Sequence, residues 1–78
     1  MYLTKKDKKA LSALINSAIY NRSLWFEFVD KDDHENAVLF KLDYAFDAIE
    51  LADRYGIELS GLQSCREWAE EYDREVQA

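Results

Sequence analysis

LWFEFVDKDDHENAVLFKL, residues 24–42, is the stretch that decides the fold of this 78-residue chain. Its two ends are rich in aromatic and β-branched side chains, which are enriched in strands, and its polar centre is typical of a turn. We therefore predict a strand over Leu24–Val29 and a loop over Asp30–Asn36. A second strand follows, with Val38, Phe40 and Leu42 on its inner face. The two strands form an antiparallel hairpin with a loop longer than the tight two-residue kind.

A helix is predicted before this hairpin. Thr4-x-x-Asp7 is close to a capping box and places the helix start at Thr4. Apolar residues at helical spacing then predict a buried stripe. Its members are Leu11, Leu14, Ile15, Ala18 and Ile19. The polar residues Asn21-Arg22-Ser23 are expected to end the helix.

Two more helices are predicted after the hairpin. Asp43 is a good N-cap for helix two, and Gly56 supplies its C-terminal stop. Ser60-x-x-Gln63 has the form of a capping box and starts helix three. The predicted fold is thus a single α+β domain over residues 1–78, in the order α-β-β-α-α, with an antiparallel β-hairpin packed against three helices.

Composition limits the compartment and the class of protein. The apolar fraction of 49% is sufficient for a folded core, and a single cysteine excludes an internal disulfide. The first residues lack the apolar run of a signal peptide, and no stretch approaches the ~18 apolar residues of a spanning helix. We expect a reducing, cytoplasmic setting and no contact with membranes.

Charge is distributed unevenly along the chain. Residues 43–78 hold ten acidic and three basic side chains, for a net charge of −7, whereas residues 1–42 carry +1. The overall charge of −6 repels nucleic acid and anionic membrane, so direct nucleic-acid binding is not expected. The same charge permits binding to a protein that presents a basic surface.

Two rows of carboxylates on the predicted helices are the candidate partner-binding residues. Asp43, Asp47 and Glu50 follow one another at helical spacing on helix two. Helix three carries Glu67, Glu71 and Glu75 on one face, with Glu70 beside them. Like charges at this spacing repel one another, which is compatible with a surface that meets a basic partner. The alternative is a solvated outer face, in which arginines neutralise part of the charge.

Trp25 is the candidate aromatic anchor. On a strand its ring would share the outer face of the hairpin with Val29 and Leu39. If no helix covers that face, the three side chains form an exposed apolar patch, and tryptophan is a favoured hot-spot residue at interfaces. The alternative is that a helix covers this face and makes it part of the core.

The two ends of the chain carry opposite charge clusters. Four lysines lie at the start of helix one, and four carboxylates lie in the last turns of helix three, so both clusters oppose their helix dipoles. The clusters would pair if helices one and three ran antiparallel. If they lie far apart, each is a candidate binding surface.

No catalytic or metal-binding pattern is present. The acidic loop around His34 lacks the glycine of a calcium loop at its sixth position and has Lys41 where a bidentate glutamate is needed. His34 is the only histidine, and Cys65 falls on an apolar stripe where a buried thiol is the usual state. We expect no metal, no cofactor and no enzymatic activity.

These observations predict a non-enzymatic acidic protein-binding domain that acts as an inhibitor or adaptor. In size, charge and lack of motifs the chain resembles the small acidic proteins that phages and other mobile elements direct against host defence enzymes, including restriction and CRISPR complexes. That resemblance implies binding, in some members as a DNA mimic, to a basic or nucleic-acid-binding surface of a host protein. The alternative is a homodimeric module that pairs through the open hairpin edge or the Trp25 face.

Overall fold

The computed structural model describes residues 3–77 as three helices. Helix α1 covers Lys5–Asp30, α2 covers His34–Tyr55 and α3 covers Leu62–Gln77. No strand occurs in these residues, so the predicted α+β class and its β-hairpin are wrong. Both arms of the stretch 24–42 are helical, and the polar centre is the short turn between them.

An uninterrupted helical stripe makes 24–30 part of α1. Inward-facing residues recur at spacings of three and four over the whole helix, and they are Leu11, Leu14, Ala18, Asn21, Trp25 and Phe28. No glycine or proline interrupts α1, and Asn21-Arg22-Ser23 does not end it. Strand preference reflects fit to a half-buried surface more than the backbone itself, so packing of this stripe overrides it.

The turn between α1 and α2 is only three residues long. Asp32 adopts a left-handed conformation with φ 59°, which reverses the chain direction. Asp33 then caps α2, because its carboxylate accepts hydrogen bonds from the backbone N–H of Asn36 at 3.3 Å and from Asn36 Nδ2 at 2.8 Å. The predicted N-cap, Asp43, lies in the middle of α2.

Contacts across the turn show that α1 and α2 run antiparallel. The rings of Phe28 and Phe40 stack with centroids 5.5 Å apart, and Trp25 lies 6.0 Å from Tyr44. As the contacts move back along α1 from Phe28 to Trp25, their partners move forward along α2 from Phe40 to Tyr44. Further along, Asn21 bonds to Asp47. The stretch 24–42 therefore forms a helical hairpin.

The end of α2 follows the sequence prediction. Gly56 has a φ of 71° and its N–H bonds to carbonyls of the last turn, as expected of a glycine that stops a helix. The start of α3 differs from the prediction by one residue. A cap at Ser60 would require the Ser60 carbonyl to accept the first helical hydrogen bond, but the Gly61 carbonyl accepts it, from the N–H of Cys65. Gly61 has a φ of 80°, which favours glycine at that position.

Helix α3 runs back along α2. Asp53 near the end of α2 bonds to Arg66 in the first half of α3, and Phe46 packs edge to face on Tyr72 at 6.0 Å. Because α2 is antiparallel to both of its neighbours, α1 and α3 point the same way. Helix α2 lies between the other two and packs against both.

The buried core is thin and rich in alanine. Its members are Ala18, Ala37, Tyr44, Ala45, Ala48, Leu51, Cys65 and Ala69. Leu51 and Cys65 are the largest side chains that are fully buried. Small side chains let helices approach closely, but a chain of this size buries only about 60–65% of its unfolded surface. Many large apolar side chains consequently stay exposed.

Candidate protein-binding surfaces

The acidic row on α2 is largely engaged within the fold. Asp47 Oδ2 accepts hydrogen bonds from Ser17 Oγ at 2.7 Å and from Asn21 Nδ2 at 3.0 Å, which ties α2 to α1. Glu50 pairs with Arg54 at 3.2 Å, one turn further along. Of the three carboxylates in this row, only Asp43 is exposed and has no such contact with another described residue. This row does not present three free carboxylates to a partner.

A fourth carboxylate of α2 forms the ion pair that joins α2 to α3. Asp53 accepts two hydrogen bonds from the guanidinium of Arg66, at 2.7 and 3.4 Å. The bonds from Arg66 hold the pKa of Asp53 below its usual value of 3.8, and those to Asp53 raise the pKa of Arg66. Sequence reasoning missed this pair, because 13 residues separate the two side chains along the chain.

The acidic row on α3 differs from the row on α2 because its carboxylates are exposed and unpaired within the described residues. Glu67, Glu70, Glu71 and Glu75 are all exposed. Within residues 3–77 none of the four forms an ion pair, and Glu67 only accepts a long hydrogen bond of 3.4 Å from Gln63. Helix α3 therefore carries a row of exposed carboxylates that are not neutralised by a cation of the described residues.

Apolar surface lies directly beside these carboxylates. A cleft of about 220 Å³ opens between α2 and α3, and its lining includes Val38, Trp68, Glu71, Tyr72 and Glu75. Tyr72 is 40% exposed and Val76, one turn later, is 64% exposed. The end of α3 thus combines free carboxylates with two accessible apolar side chains.

The lysine and glutamate clusters lie at opposite ends of the molecule. The start of α1 adjoins the end of α2: the pKa of Asp7 is lowered chiefly by hydrogen bonds from Thr4 and, to a smaller degree, by the charge of Arg54. The end of α3 instead lies beside Val38, near the start of α2. Arg54 and Val38 are 16 residues apart, or about 24 Å along a helix. Pairing of the two clusters, which required antiparallel helices, does not occur.

Trp25 does not lie on an open sheet face. Its ring is half-buried between helices, 5.7 Å from Trp68 in an edge-on arrangement and 6.0 Å from Tyr44. The predicted anchor is thus one wall of an aromatic cluster against the core. The hairpin edge proposed for a homodimer has no counterpart in residues 3–77, because these form no strand.

A second stripe on α1 lies beside the face that packs on α2, and its residues were assigned wrongly. Ile15 and Ile19 were expected in the core, yet they are 36% and 60% exposed, and Phe26 and Val29 are 45% and 46% exposed. With Arg22 between them, these residues recur at spacings of 4, 3, 4 and 3. We call them the outer stripe. The helical spacing of the outer stripe can be seen in the sequence, where it interleaves with the spacing of the inward-facing residues of α1.

The outer stripe borders a groove. A hollow of about 190 Å³ is lined by Ile15, Ile19 and Arg22 from α1 and by Leu59 from the α2–α3 connection. An adjoining hollow of about 330 Å³ shares Arg22 and Leu59 and continues to Trp68. Tyr44 and Cys65 line its floor, and burial raises the pKa values of both groups. A raised thiol pKa makes Cys65 a poor nucleophile.

The loop around His34 forms no ligand cluster. His34 Nε2 lies 2.8 Å from Asp32 Oδ1, and both side chains are largely exposed to solvent. No group of three potential metal ligands is found in residues 3–77. The helices described there also include none with an apolar run long enough to cross a bilayer.

Comparison with known proteins returned no relative. No protein family, curated protein or solved structure matches the chain.

Proposed function

We propose that this domain is a non-enzymatic protein-binding module that engages a basic partner through the end of α3. The observation that carries the proposal is the set of four free carboxylates on α3, two of which, Glu71 and Glu75, line a cleft together with the exposed Tyr72. Complementary charge accelerates encounter and selects the partner, whereas buried aromatic anchors supply most of the affinity. The end of α3 offers both kinds of group on one surface.

The geometry favours a compact basic patch as the target. Asp47, Glu50 and Asp53 are held by contacts inside the domain, so the two acidic helices do not form one long track of free charge. A short basic helix, or the basic rim of an apolar pocket, matches the size of the α3 surface. We propose an inhibitor or adaptor role, with a nucleic-acid-binding surface of a host protein as the target.

The test is affinity capture from the lysate of the organism that carries the protein, at low and high salt, followed by mass-spectrometric identification. The variant Glu67→Lys/Glu71→Lys should lose the captured partner while its helical circular dichroism is unchanged. The matched control is Asp43→Lys/Glu58→Lys, which changes the net charge equally on exposed carboxylates elsewhere.

Two results would contradict the proposal. One is undiminished capture by the α3 variant, which would show that this row is only a solvated face. The other is equal loss in both variants, which would show that total charge and not the α3 surface governs binding. Capture that resists high salt would argue for an apolar interface without a charge component.

A further inference from the structure

The outer stripe of α1 has the spacing of a helix-pairing seam. Residues at intervals of 4, 3, 4 and 3 keep to one side of a helix at 3.5 residues per turn, which is the repeat that packs one helix against another. The seam from Ile15 to Val29 spans 14 residues, or about 21 Å. The inward-facing residues of α1, from Leu11 to Phe28, pack on the core, whereas the outer stripe is left exposed.

The groove beside the seam has room for an added helix. The two hollows, of about 190 and 330 Å³, lie between the outer stripe and Leu59. They meet at Arg22, which lines both. Ala18, Tyr44 and Leu51 line the floor of the smaller one, which makes its surface mostly apolar. A helix laid along α1 would contact the seam on one side and the α2–α3 connection on the other, as in helix-in-groove recognition.

Arg22 decides what kind of helix fits. It occupies the centre of the seam, lies 5.2 Å from the ring centroid of Phe26 and forms no ion pair in the described chain. A cation at the centre of an apolar interface requires a partner, because burying an unpaired charge is costly. Guanidinium groups pair best with carboxylates, which they bind through two parallel hydrogen bonds.

From this geometry we infer that the outer stripe docks one amphipathic helix of another protein, and that this helix carries a carboxylate at the centre of its apolar face. A second copy of the chain fits less well. Pairing of two α1 seams over their full length places Arg22 opposite Arg22 in either orientation, and such like-charge contacts select against self-association. This site lies apart from the carboxylates of α3, so the inference does not rest on the proposed function.

The test uses two synthetic helical peptides of about 21 residues. Both carry leucine at spacings of 4 and 3 along one face, and they differ only in a central glutamate or a central lysine. Fluorescence anisotropy would measure their affinities for the whole protein. The glutamate peptide should bind at least about tenfold more tightly than the lysine peptide, which is the lower end of what close charge pairs at interfaces contribute. In Arg22→Glu the preference should reverse.

A second variant separates docking from folding. Ile19 is 60% exposed, so Ile19→Asp should keep the helical circular dichroism and lose both peptides. The matched control, Glu67→Lys/Glu71→Lys, should retain them, which distinguishes this seam from the α3 surface. Equal affinity for the two peptides, or an unchanged preference in Arg22→Glu, would overturn the inference. So would a wild-type dimer in sedimentation equilibrium that Ile19→Asp dissociates, because a second copy would then occupy the seam.

Discussion

Helices α2 and α3 carry similar rows of carboxylates and use them in opposite ways. On α2 the carboxylates of Asp47, Glu50 and Asp53 bond to groups on α1, α2 and α3 in turn. On α3 the glutamates form no ion pair in the described residues, and every residue from 70 to 77 is exposed. Helix α2 packs along both other helices, whereas α3 packs along α2 and meets α1 through the contact of Trp68 with Trp25. Asp47 and Asp53 are engaged because α2 lies between two helices, whereas Glu50 is paired with Arg54 through its i, i+4 spacing on the same helix.

The largest predicted contrast concerns buried apolar side chains. Leu51 on α2 is 1% exposed, so Leu51→Ala should lower the free energy of unfolding by about 2–5 kcal/mol, enough to unfold much of so thin a core. Val76→Ala on α3 should change it by less than about 0.5 kcal/mol, because that side chain is 64% exposed. Urea denaturation followed by circular dichroism measures both. Equal losses would mean that the end of α3 packs against something in solution.

The next contrast concerns one carboxylate from each helix. Asp47→Ala removes the acceptor for Ser17 and Asn21 at a half-buried contact, so it should cost about 1–3 kcal/mol in the free energy of unfolding. Glu71→Ala should be close to neutral. In a double-mutant cycle, Asn21→Ala should cost less once Asp47 is alanine. Strict additivity of the two losses would show that their hydrogen bond contributes nothing.

The smallest contrast is a pH dependence. Because Arg66 holds the folded-state pKa of Asp53 below its usual 3.8, the folded state binds fewer protons than the unfolded state in that range. The contribution of the pair is present above pH 3.8 and is lost as pH falls through the lowered folded-state value. Asp53→Asn should therefore flatten the acid side of the stability profile. Identical profiles for wild type and Asp53→Asn would contradict this.

Local signals in the sequence predicted two helix boundaries correctly, the start of α1 and the end of α2. The reciprocal hydrogen bonds of Thr4 and Asp7, both 3.1 Å, confirm the predicted capping box, and Gly56 stops α2 as expected. Each of these features depends on residues within one turn of each other. Such features can be recognised without knowing how the chain folds.

Signals that depend on distant partners were misread. Leu24, Phe26 and Phe28 alternate as in a strand, but Trp25 and Phe28 also continue the helical stripe, and only packing against Tyr44 and Phe40 decides between the two. Ile15 and Ile19 are apolar at helical spacing, yet α1 has two such stripes and only one of them packs into the core. The role of Asp47 depends on residues 26 and 30 positions away.

The parallel arrangement of α1 and α3 also gives the molecule an electrical polarity. The backbone dipoles of these two helices point the same way, with their positive ends towards the lysines of α1 and their negative ends towards the glutamates of α3. The dipole of α2 points the other way and offsets one of these two, so the side-chain charges add to the helix dipole that remains. In the field of a basic surface the whole domain experiences a torque before contact, which turns the end of α3 towards that surface and increases the fraction of productive collisions.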